Sequence, residues 1–465
     1  MRKSDMDKAT ALKAIERESA GIIGISNAIW DKPECGLGEK FASGLICDYL
    51  AAQGFEVERG LCGIPTAFRA TYGCGEPRIG LLAEYDALQG LGHGCGHNLL
   101  AGGCIGAAVA IKEYLQACPD RGTLVFFGCP DEEVSGTKTY MARDGVFDDL
   151  DFALAWHPAE VNIVPFGISS ALYDVQYTFK GRANHSALDS DEVHNALDAA
   201  ELMNIGVKYL NSQYHNQVNI GYSYANTGSD APNMVKDSVT NHFVIRTRKL
   251  KDISYFVDRI GDIAKGAALM SATEVESRIV GACSGLIPNR ELAAVLYENF
   301  QAVGAPSYTD DELAAAGEVQ QAAGAGGRIV KEMLSMVDNA NVRRSLSASL
   351  DGPMFAGIIP PTNYEVYSPA STDVGDVSRA CPVGQINVAT APIGVHAHTR
   401  GFLSMGKTDI AHKGMLTASK VIAAAAIDLM ENPAKVQIAR NDFLERTSGH
   451  KYRSLLPDDA KLPVM

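Results

Sequence analysis

The chain has 465 residues, which is too long for a single small module and corresponds to about two or three domains. Its 41 Lys and Arg residues and 55 Asp and Glu residues give a formal net charge of −14, so nucleic acid would be repelled and is not expected as a partner. With 46% hydrophobic and 21% charged residues, the chain has the composition of a folded globular protein.

The beginning of the chain carries no secretory pattern. In MRKSDMDKAT, Asp5 and Asp7 stand where a signal peptide would have apolar residues. No run approaches the ~18 uninterrupted apolar residues that typically span a membrane. The 10 cysteines include no CxxC pair and are expected to be reduced. We therefore expect a cytoplasmic protein without a membrane partner.

Helical and strand-like segments alternate in the first part of the chain. Helical patterns cover residues 5–30 and 39–53, and a further apolar helix is predicted at residues 98–117. Three short apolar runs are predicted to be buried strands: Ile79–Ala83, Thr123–Gly128 and Phe152–Trp156. This order predicts an α/β domain with a mostly parallel sheet and helices on both faces.

The pattern changes after about residue 167. Alternating apolar residues at 173–179 predict a strand, and strand-like segments recur at 242–247 and 273–282. Two amphipathic helices are predicted between them: Ile253–Met270, and a helix whose apolar face comprises Val193, Leu197, Ala200, Met203, Val207 and Leu210. We expect a smaller α+β domain with a βαβ-type unit at residues 170–283. It would be inserted into a catalytic domain formed by residues 1–169 and 284–465.

Three polar clusters lie at the ends of the three predicted strands. The first is GHGCGHN at residues 92–98, the second is PDEE at residues 130–133, and the third is His157-Pro158. In open α/β sheets, ligands bind beyond the carboxyl ends of the strands, so these clusters should meet at one edge. Thiol, imidazole and carboxylate groups are ligands of divalent transition metals, and there are enough of them for two ions.

The same clusters indicate a hydrolytic reaction. Gly94 and Gly96 allow a tight turn through which Cys95 and His97 can converge on one point. A carboxylate beside a metal-activated water can take the proton of that water. Metal-assisted hydrolysis is therefore the main interpretation of the sequence.

Two other interpretations remain open at this stage. Cys95 with His97 could form a cysteine-nucleophile amidase, although the glutamate pair would then have no role. Alternatively, the chain could be a non-catalytic protein that binds a metal or a peptide. Taken singly, a buried cysteine, a solvated glutamate pair and a strand-end histidine are also ordinary structural features.

Several longer strings resemble one enzyme family. They are EYDALQGLGHGCGHN, GCPDEE followed by GTKTYM, AWHP, KGRANHSA, NALDAAELMN, APNMVKD, STDVGDVS and AHKGM, and the similarity extends from about Trp30 to Ala424. These strings resemble the aminoacylase/carboxypeptidase class of dinuclear metallopeptidases. Within it, they are most similar to the amidohydrolase branch that includes aminobenzoyl-glutamate hydrolase and β-alanyl-lysine dipeptidase.

This resemblance implies a site with two divalent metal ions per subunit, either Mn²⁺ or Zn²⁺. Glu132, the first Glu of the pair, would be the general base that activates water. The last metal ligand would come from APIGVHAHTRGF, where a His-Thr dipeptide indicates His398 and leaves His396 as the alternative. The full implied ligand set is Cys95, His97, Glu133, His157 and His398.

The resemblance also implies roles outside the ligand set. Asp86 would orient ligands, and the inserted domain would act as a lid and as the contact of a homodimer. His185 would contact the substrate carbonyl, in its own chain or across the dimer, while Asn233 and Arg246 would bind polar groups of the substrate.

The implied activity is hydrolysis of the amide bond in an N-acyl, N-aroyl or N-aminoacyl amino acid, or a dipeptide, with a free carboxylate. Arg400 and Asp131 depart from the branch pattern, which commonly has Trp and Ala there.

Overall fold

The structure, a computed structural model, describes residues 7–185, 193–214 and 216–462. The strands are β1 (Glu56–Arg59), β2 (Phe68–Gly73), β3 (Arg78–Glu84), β4 (Thr123–Cys129), β5 (Phe152–Ala159), β6 (Gly167–Ser169), β7 (Ala171–Lys180), β8 (Asn184–His185), β9 (Val218–Asn226), β10 (Met234–Val235), β11 (Ser238–Thr247), β12 (Glu274–Cys283), β13 (Val366–Ser368) and β14 (Val383–Ala389). The α-helices are α1 (Lys8–Asp31), α2 (Lys40–Ala52), α3 (His97–Ala117), α4 (Thr137–Arg143), α5 (Ala196–Gln213), α6 (Leu250–Met270), α7 (Arg290–Val303), α8 (Asp310–Ala322), α9 (Arg328–Ser335), α10 (Ala340–Ser347), α11 (Val374–Ala380), α12 (Arg400–Met405), α13 (Asp409–Glu431) and α14 (Pro433–Thr447).

The larger sheet has six strands in the order β1-β2-β4-β3-β5-β14. Strands β4, β3, β5 and β14 run parallel, whereas β2 and β1 are added antiparallel at one edge. This topology confirms the predicted α/β fold with a mostly parallel sheet. Among the described helices, none combines the length and the apolar character that crossing a membrane requires.

Strand β4 is an example of a strand with apolar side chains on both faces of the sheet. Leu124 and Phe126 belong to the core that includes α1, α3 and α13, whereas Val125 and Phe127 belong to the core with α4 and α11. Successive side chains of a strand point to opposite faces, so a strand covered by helices on both sides reads as a continuous apolar run. Burial of each such side chain contributes roughly 1.5–3 kcal/mol.

Glycines allow α3 to lie close to its neighbours. A Cβ atom at Gly103 would lie 2.4 Å from Trp156 Nε1, and one at Gly102 would lie 2.4 Å from Met415 Sδ. In this close contact, Trp156 donates a hydrogen bond from Nε1 to the carbonyl oxygen of Leu100 at 2.9 Å. The packing holds α3, which begins with His97, against strand β5.

The second sheet has four strands in the order β12-β7-β11-β9, and all neighbouring pairs are antiparallel. Helices α5 and α6 pack on one face of it. Chain segments β7-α5-β9 and β11-α6-β12 each join two parallel strands that are separated by another strand, which is a split βαβ arrangement. The expected βαβ-type unit is therefore built on an antiparallel sheet.

The predicted apolar face of α5 is wrong at its first residue. Val193 is 45% exposed and lies before the helix, which begins at Ala196. The side chain of Asn195 accepts a hydrogen bond from the Leu197 N–H and caps the helix. Because a capping residue has extended backbone, residues before it do not follow the helical period.

Candidate metal centre

The loop between β3 and α3 brings Cys95 and His97 to the same side. Gly96 has a φ of 80°, a left-handed conformation that glycine adopts without strain. A Cβ atom there would also lie 3.1 Å from both Phe402 and Pro158. The turn leaves Cys95 9% exposed and His97 fully buried.

Two triads of metal-binding side chains share Cys95. One comprises Cys95, His97 and His157, and the other comprises Cys95, Glu133 and His398; within each triad the ligand atoms lie within 4.8 Å of one another. Cys95 Sγ is 3.5 Å from His157 Nε2, and His398 Nε2 is 3.3 Å from Glu133 Oε1. Cys95 is common to both triads and would be available to an ion held by either one.

The residues at this centre fit a pair of divalent ions. His97 Nε2 and Glu133 Oε1 are buried and have no hydrogen-bond partner in the described part of the chain. A buried polar atom without a partner costs about 1–3 kcal/mol, and a bound cation would remove that cost. The mixture of thiol, imidazole and carboxylate suits a divalent transition metal.

Asp86 contacts one residue of each triad. Its Oδ1 atom is 2.9 Å from His97 Nδ1, and its Oδ2 atom accepts a hydrogen bond from the Glu133 N–H at 3.0 Å. His97 therefore donates from Nδ1 and directs Nε2 toward the centre. Such contacts fix the ring orientation and the tautomer of a metal-binding histidine.

The two adjacent glutamates have opposite electrostatic environments. Burial opposes ionisation of Glu133, but the nearby imidazole groups of His398 and His97 lower its pKa to about 2. Burial and the nearby carboxylates Glu84 and Asp373 raise the pKa of Glu132 well above its usual value. Glu133 is thus suited to bind a cation, and Glu132 to accept a proton.

His398 reaches the centre and His396 does not. The backbone N–H of His398 donates to the carbonyl oxygen of Gly94, which ties this segment to the loop containing Cys95. The Nδ1 atom of His396 instead lies 2.9 Å from Glu160 Oε1, and His396 belongs to neither triad. Glu160 also accepts a hydrogen bond from the Gly394 N–H and so holds the segment that precedes His398.

A cavity of about 320 Å³ opens in front of the centre. Glu132, Glu133 and His398 line one side, and Arg246 lines the other from β11 of the second sheet. Arg246 Nε is buried without a hydrogen-bond partner among the described residues, and so is the hydroxyl of Ser371 in the same wall. The structure thus brings Arg246 into the cavity, as expected for a substrate-binding residue.

The other two residues expected to contact substrate are not placed in this cavity. Asn233 is exposed and precedes β10, and it does not line the cavity. The backbone of His185 pairs with Met234 in the small sheet of β8 and β10. The side chain of His185 lies outside the described part of the chain, so its role stays a prediction.

Comparison with known proteins identifies the family. The sequence model of Peptidase family M20/M25/M40 matches residues 80–333. The chain is also 35% identical to one of the subunits of p-aminobenzoyl-glutamate hydrolase of Escherichia coli (strain K12), over 96% of each sequence. The chain belongs to peptidase family M20/M25/M40. It is therefore a hydrolase, and the family predicted from the motifs is confirmed.

Other similar proteins agree with this result. Xaa-Arg dipeptidase of Mus musculus is 26% identical over 94% of this chain and 92% of that protein. An aminobenzoyl-glutamate utilization protein from Klebsiella pneumoniae has the same fold, with a TM-score of 0.61, 16% identity, and coverage of 90% of this chain and 97% of that one. A dinuclear metal binding M20 peptidase from Bacillus subtilis has a TM-score of 0.54, 14% identity, and coverage of 90% and 99%.

In this M20 chain, three buried residues near the centre carry no role in the sequence analysis. They are Glu84 at the end of β3, Lys138 in α4 and Asp373 before α11, with side chains 6%, 0% and 1% exposed. Lys138 Nζ lies 2.8 Å from Glu84 Oε1 and 2.5 Å from Asp373 Oδ1. The sequence did contain one signal for this group. It is the lysine of the string GTKTYM, which follows shortly after the glutamate pair.

We expect different consequences from replacing the two histidines of the C-terminal segment. His398→Ala should lower the metal content of the M20 centre, because His398 contacts Glu133 in one triad. His396→Ala should leave it nearly unchanged, since His396 contacts Glu160 outside both triads. Metal analysis of the two purified variants checks this, and a loss confined to His396→Ala would reverse the assignment.

Proposed function

We propose that this M20 hydrolase cleaves the amide bond of an N-acyl, N-aroyl or N-aminoacyl amino acid, or of a dipeptide, that has a free carboxylate. The observation that carries the proposal is the cavity lined by Glu132, by Glu133 and His398 of one triad, and by Arg246, whose buried Nε atom has no hydrogen-bond partner among the described residues. Its relatives are named for hydrolysis of p-aminobenzoyl-glutamate and of Xaa-Arg dipeptides, which supports this substrate class.

The two triads would each hold one ion, Zn²⁺ or Mn²⁺. When bound, the ions would polarise the amide carbonyl and lower the pKa of a water molecule. Glu132 accepts the proton of the attacking water and then delivers it to the nitrogen of the leaving amine. The same carboxyl group serves both steps, because the carboxylate takes the proton and the carboxylic acid then returns it.

Arg246 would bind the substrate carboxylate. A guanidinium group can donate two parallel hydrogen bonds to a carboxylate, and the buried Nε atom of Arg246 lacks a partner among the described residues. The Ser371 hydroxyl can add a third donor from the same wall. Binding there would direct the scissile amide toward Glu132.

The predicted domain division becomes part of the proposal. Residues 170–283 would form a lid and the contact of a homodimer, with Asn233 binding a polar group of the substrate. His185, from the same chain or the partner, would stabilise the negative charge that develops on the amide oxygen. Strand β9 lies at the edge of its sheet, and its outer side pairs with no other strand among the described residues, so it could pair with a second copy.

A cytoplasmic location is part of the proposal as well. All 10 cysteines of the chain are free, which is the usual state in a reducing compartment.

The alternative of a cysteine nucleophile has less support. Burial raises the pKa of Cys95 to about 12, whereas a reactive cysteine needs a lowered pKa. A neighbouring cation would instead stabilise the thiolate, as in a metal site. In a non-catalytic binding protein, Glu132 would likewise have no function.

The proposal can be tested on a substrate panel. Protein supplied with Zn²⁺ or Mn²⁺ should hydrolyse N-acyl amino acids, N-aroyl amino acids or dipeptides, but not the corresponding methyl esters of the carboxylate. EDTA should abolish the activity, and Arg246→Met should remove the discrimination against the esters. Activity that survives EDTA and is lost with iodoacetamide would support the cysteine nucleophile instead.

A further inference from the structure

The metal centre contains more buried acidic groups than basic groups. The acidic groups within or next to the two triads are Cys95, Glu84, Asp86, Glu132, Glu133 and Asp373. In the described part of the chain, their ion pairs involve one lysine, Lys138, together with His97 and His398. The charges of two divalent ions would compensate most of this excess.

Glu84 faces His97 without a hydrogen bond. Its Oε2 atom lies 3.2 Å from His97 Nε2, yet His97 Nε2 has no hydrogen-bond partner among the described residues. Because Nδ1 of His97 donates to Asp86, the neutral ring has its lone pair on Nε2. A histidine binds a metal in its neutral form, and a cation beside both atoms would then remove the repulsion between this lone pair and Glu84 Oε2.

The other carboxylate oxygen of Glu84, Oε1, forms an ion pair with Lys138. Lys138 Nζ lies 2.8 Å from Glu84 Oε1, and Asp373 fixes the lysine by accepting from its backbone N–H at 2.9 Å and from Nζ at 2.5 Å. Lys138 lies in the first turn of α4, directly after the loop that carries the two adjacent glutamates. With Oε1 engaged, Glu84 presents Oε2 to the centre.

We propose that Glu84 is an additional ligand of the ion held by His97, and that Lys138 and Asp373 are its positioning residues. The inference rests on the metal centre proposed above. The ligand atoms of Glu84, His97 and Glu132 also lie within 4.8 Å of one another, as the ligand atoms of each triad do. A further carboxylate favours an ion of higher coordination number such as Mn²⁺ over tetrahedral Zn²⁺.

The test compares metal binding by the wild-type protein and two variants. Glu84→Gln should weaken Mn²⁺ binding by a factor of about 100 or more, because mutation of residues that only orient a ligand already costs about 10–100-fold. Zn²⁺ binding should change much less. Glu39→Gln is the matched control, because Glu39 is also fully buried but contacts Thr66 and the Leu37 N–H instead of the triads. Calorimetric titration with each ion and metal analysis of the dialysed proteins give the readout.

A double variant controls for a loss of folding stability. Glu84→Gln leaves Lys138 with one ion-pair partner instead of two, which can lower stability on its own. Glu84→Gln/Lys138→Met removes both partners, and Asp373 still accepts from the backbone N–H of residue 138. Thermal unfolding by circular dichroism shows whether each variant is folded. We expect the double variant to have the same selective loss of Mn²⁺ binding.

The outcomes separate this inference from the proposed function. A wild-type protein that binds neither ion would contradict the metal centre itself. A wild-type protein that binds two ions, with Glu84→Gln binding Mn²⁺ and Zn²⁺ equally well as wild type, would overturn only the role of Glu84. The same holds if Glu84→Gln weakens both ions equally and the double variant restores them, because Glu84 would then only balance Lys138.

Discussion

Glu132→Gln should lower kcat by a factor on the order of 10²–10⁴ while both ions remain bound, because a general base contributes about this much to a rate. Glutamine keeps the shape of the side chain and removes its ability to accept a proton. The environment of Glu132 supports the prediction, since burial and the carboxylates of Glu84 and Asp373 raise its pKa, whereas the pKa of the adjacent Glu133 is lowered to about 2.

The measurement for Glu132→Gln combines steady-state kinetics with metal analysis of the same preparation. Wild-type metal content is the control, because it separates a base from a ligand. Loss of an ion together with activity would make Glu132 a metal ligand. Retention of near-wild-type kcat with both ions bound would show that another group takes the proton.

Cys95→Ser should lower the metal content from two ions toward none and reduce activity to the background rate. Cys95 belongs to both triads, so its loss removes one ligand from each ion at once. A serine hydroxyl does not replace it, because an alcohol is not ionised at neutral pH. By comparison, His157→Ala should affect mainly the ion that His97 also contacts.

Cys104→Ser is the matched control for this change. Cys104 is equally buried, but its thiol contacts the carbonyl oxygen of Leu82 on strand β3, away from the triads. This variant should keep both ions. A Cys95→Ser protein that retains one ion at full occupancy would contradict the shared role of the thiolate.

The strands and the clusters at their ends were predictable because their signals are local. The three apolar runs correspond to β3, β4 and β5, each continuing one to three residues beyond the predicted end. The extension of β5 moves His157 from after the strand to within it, where it pairs with Asn387 of β14. The sequence offers no local signal for that extension, because the partner strand lies more than 200 residues away.

The remainder of the centre depends on contacts between distant segments. Lys138 and Asp373 are 235 positions apart, and no periodicity relates them. The choice between His398 and His396 depends on the hydrogen bond of one to Gly94 and the ion pair of the other with Glu160. The family resemblance indicated His398 through its motif. Glu84 is visible in the sequence beside the first polar cluster, but its contact with Lys138 became visible only from the packing.

The close approach of α3 to β5 links the hydrophobic core to the chemistry. His97 is the first residue of α3, and His157 follows Trp156, the residue that contacts Gly103. A glycine inside a helix costs about 1 kcal/mol in helix propensity, so this close contact has a cost in stability. The distance between His97 and His157 is therefore determined partly by this buried packing contact, which is remote from solvent and substrate. In this protein, the positions of these metal-binding side chains depend partly on how closely the indole of Trp156 packs against the backbone of α3.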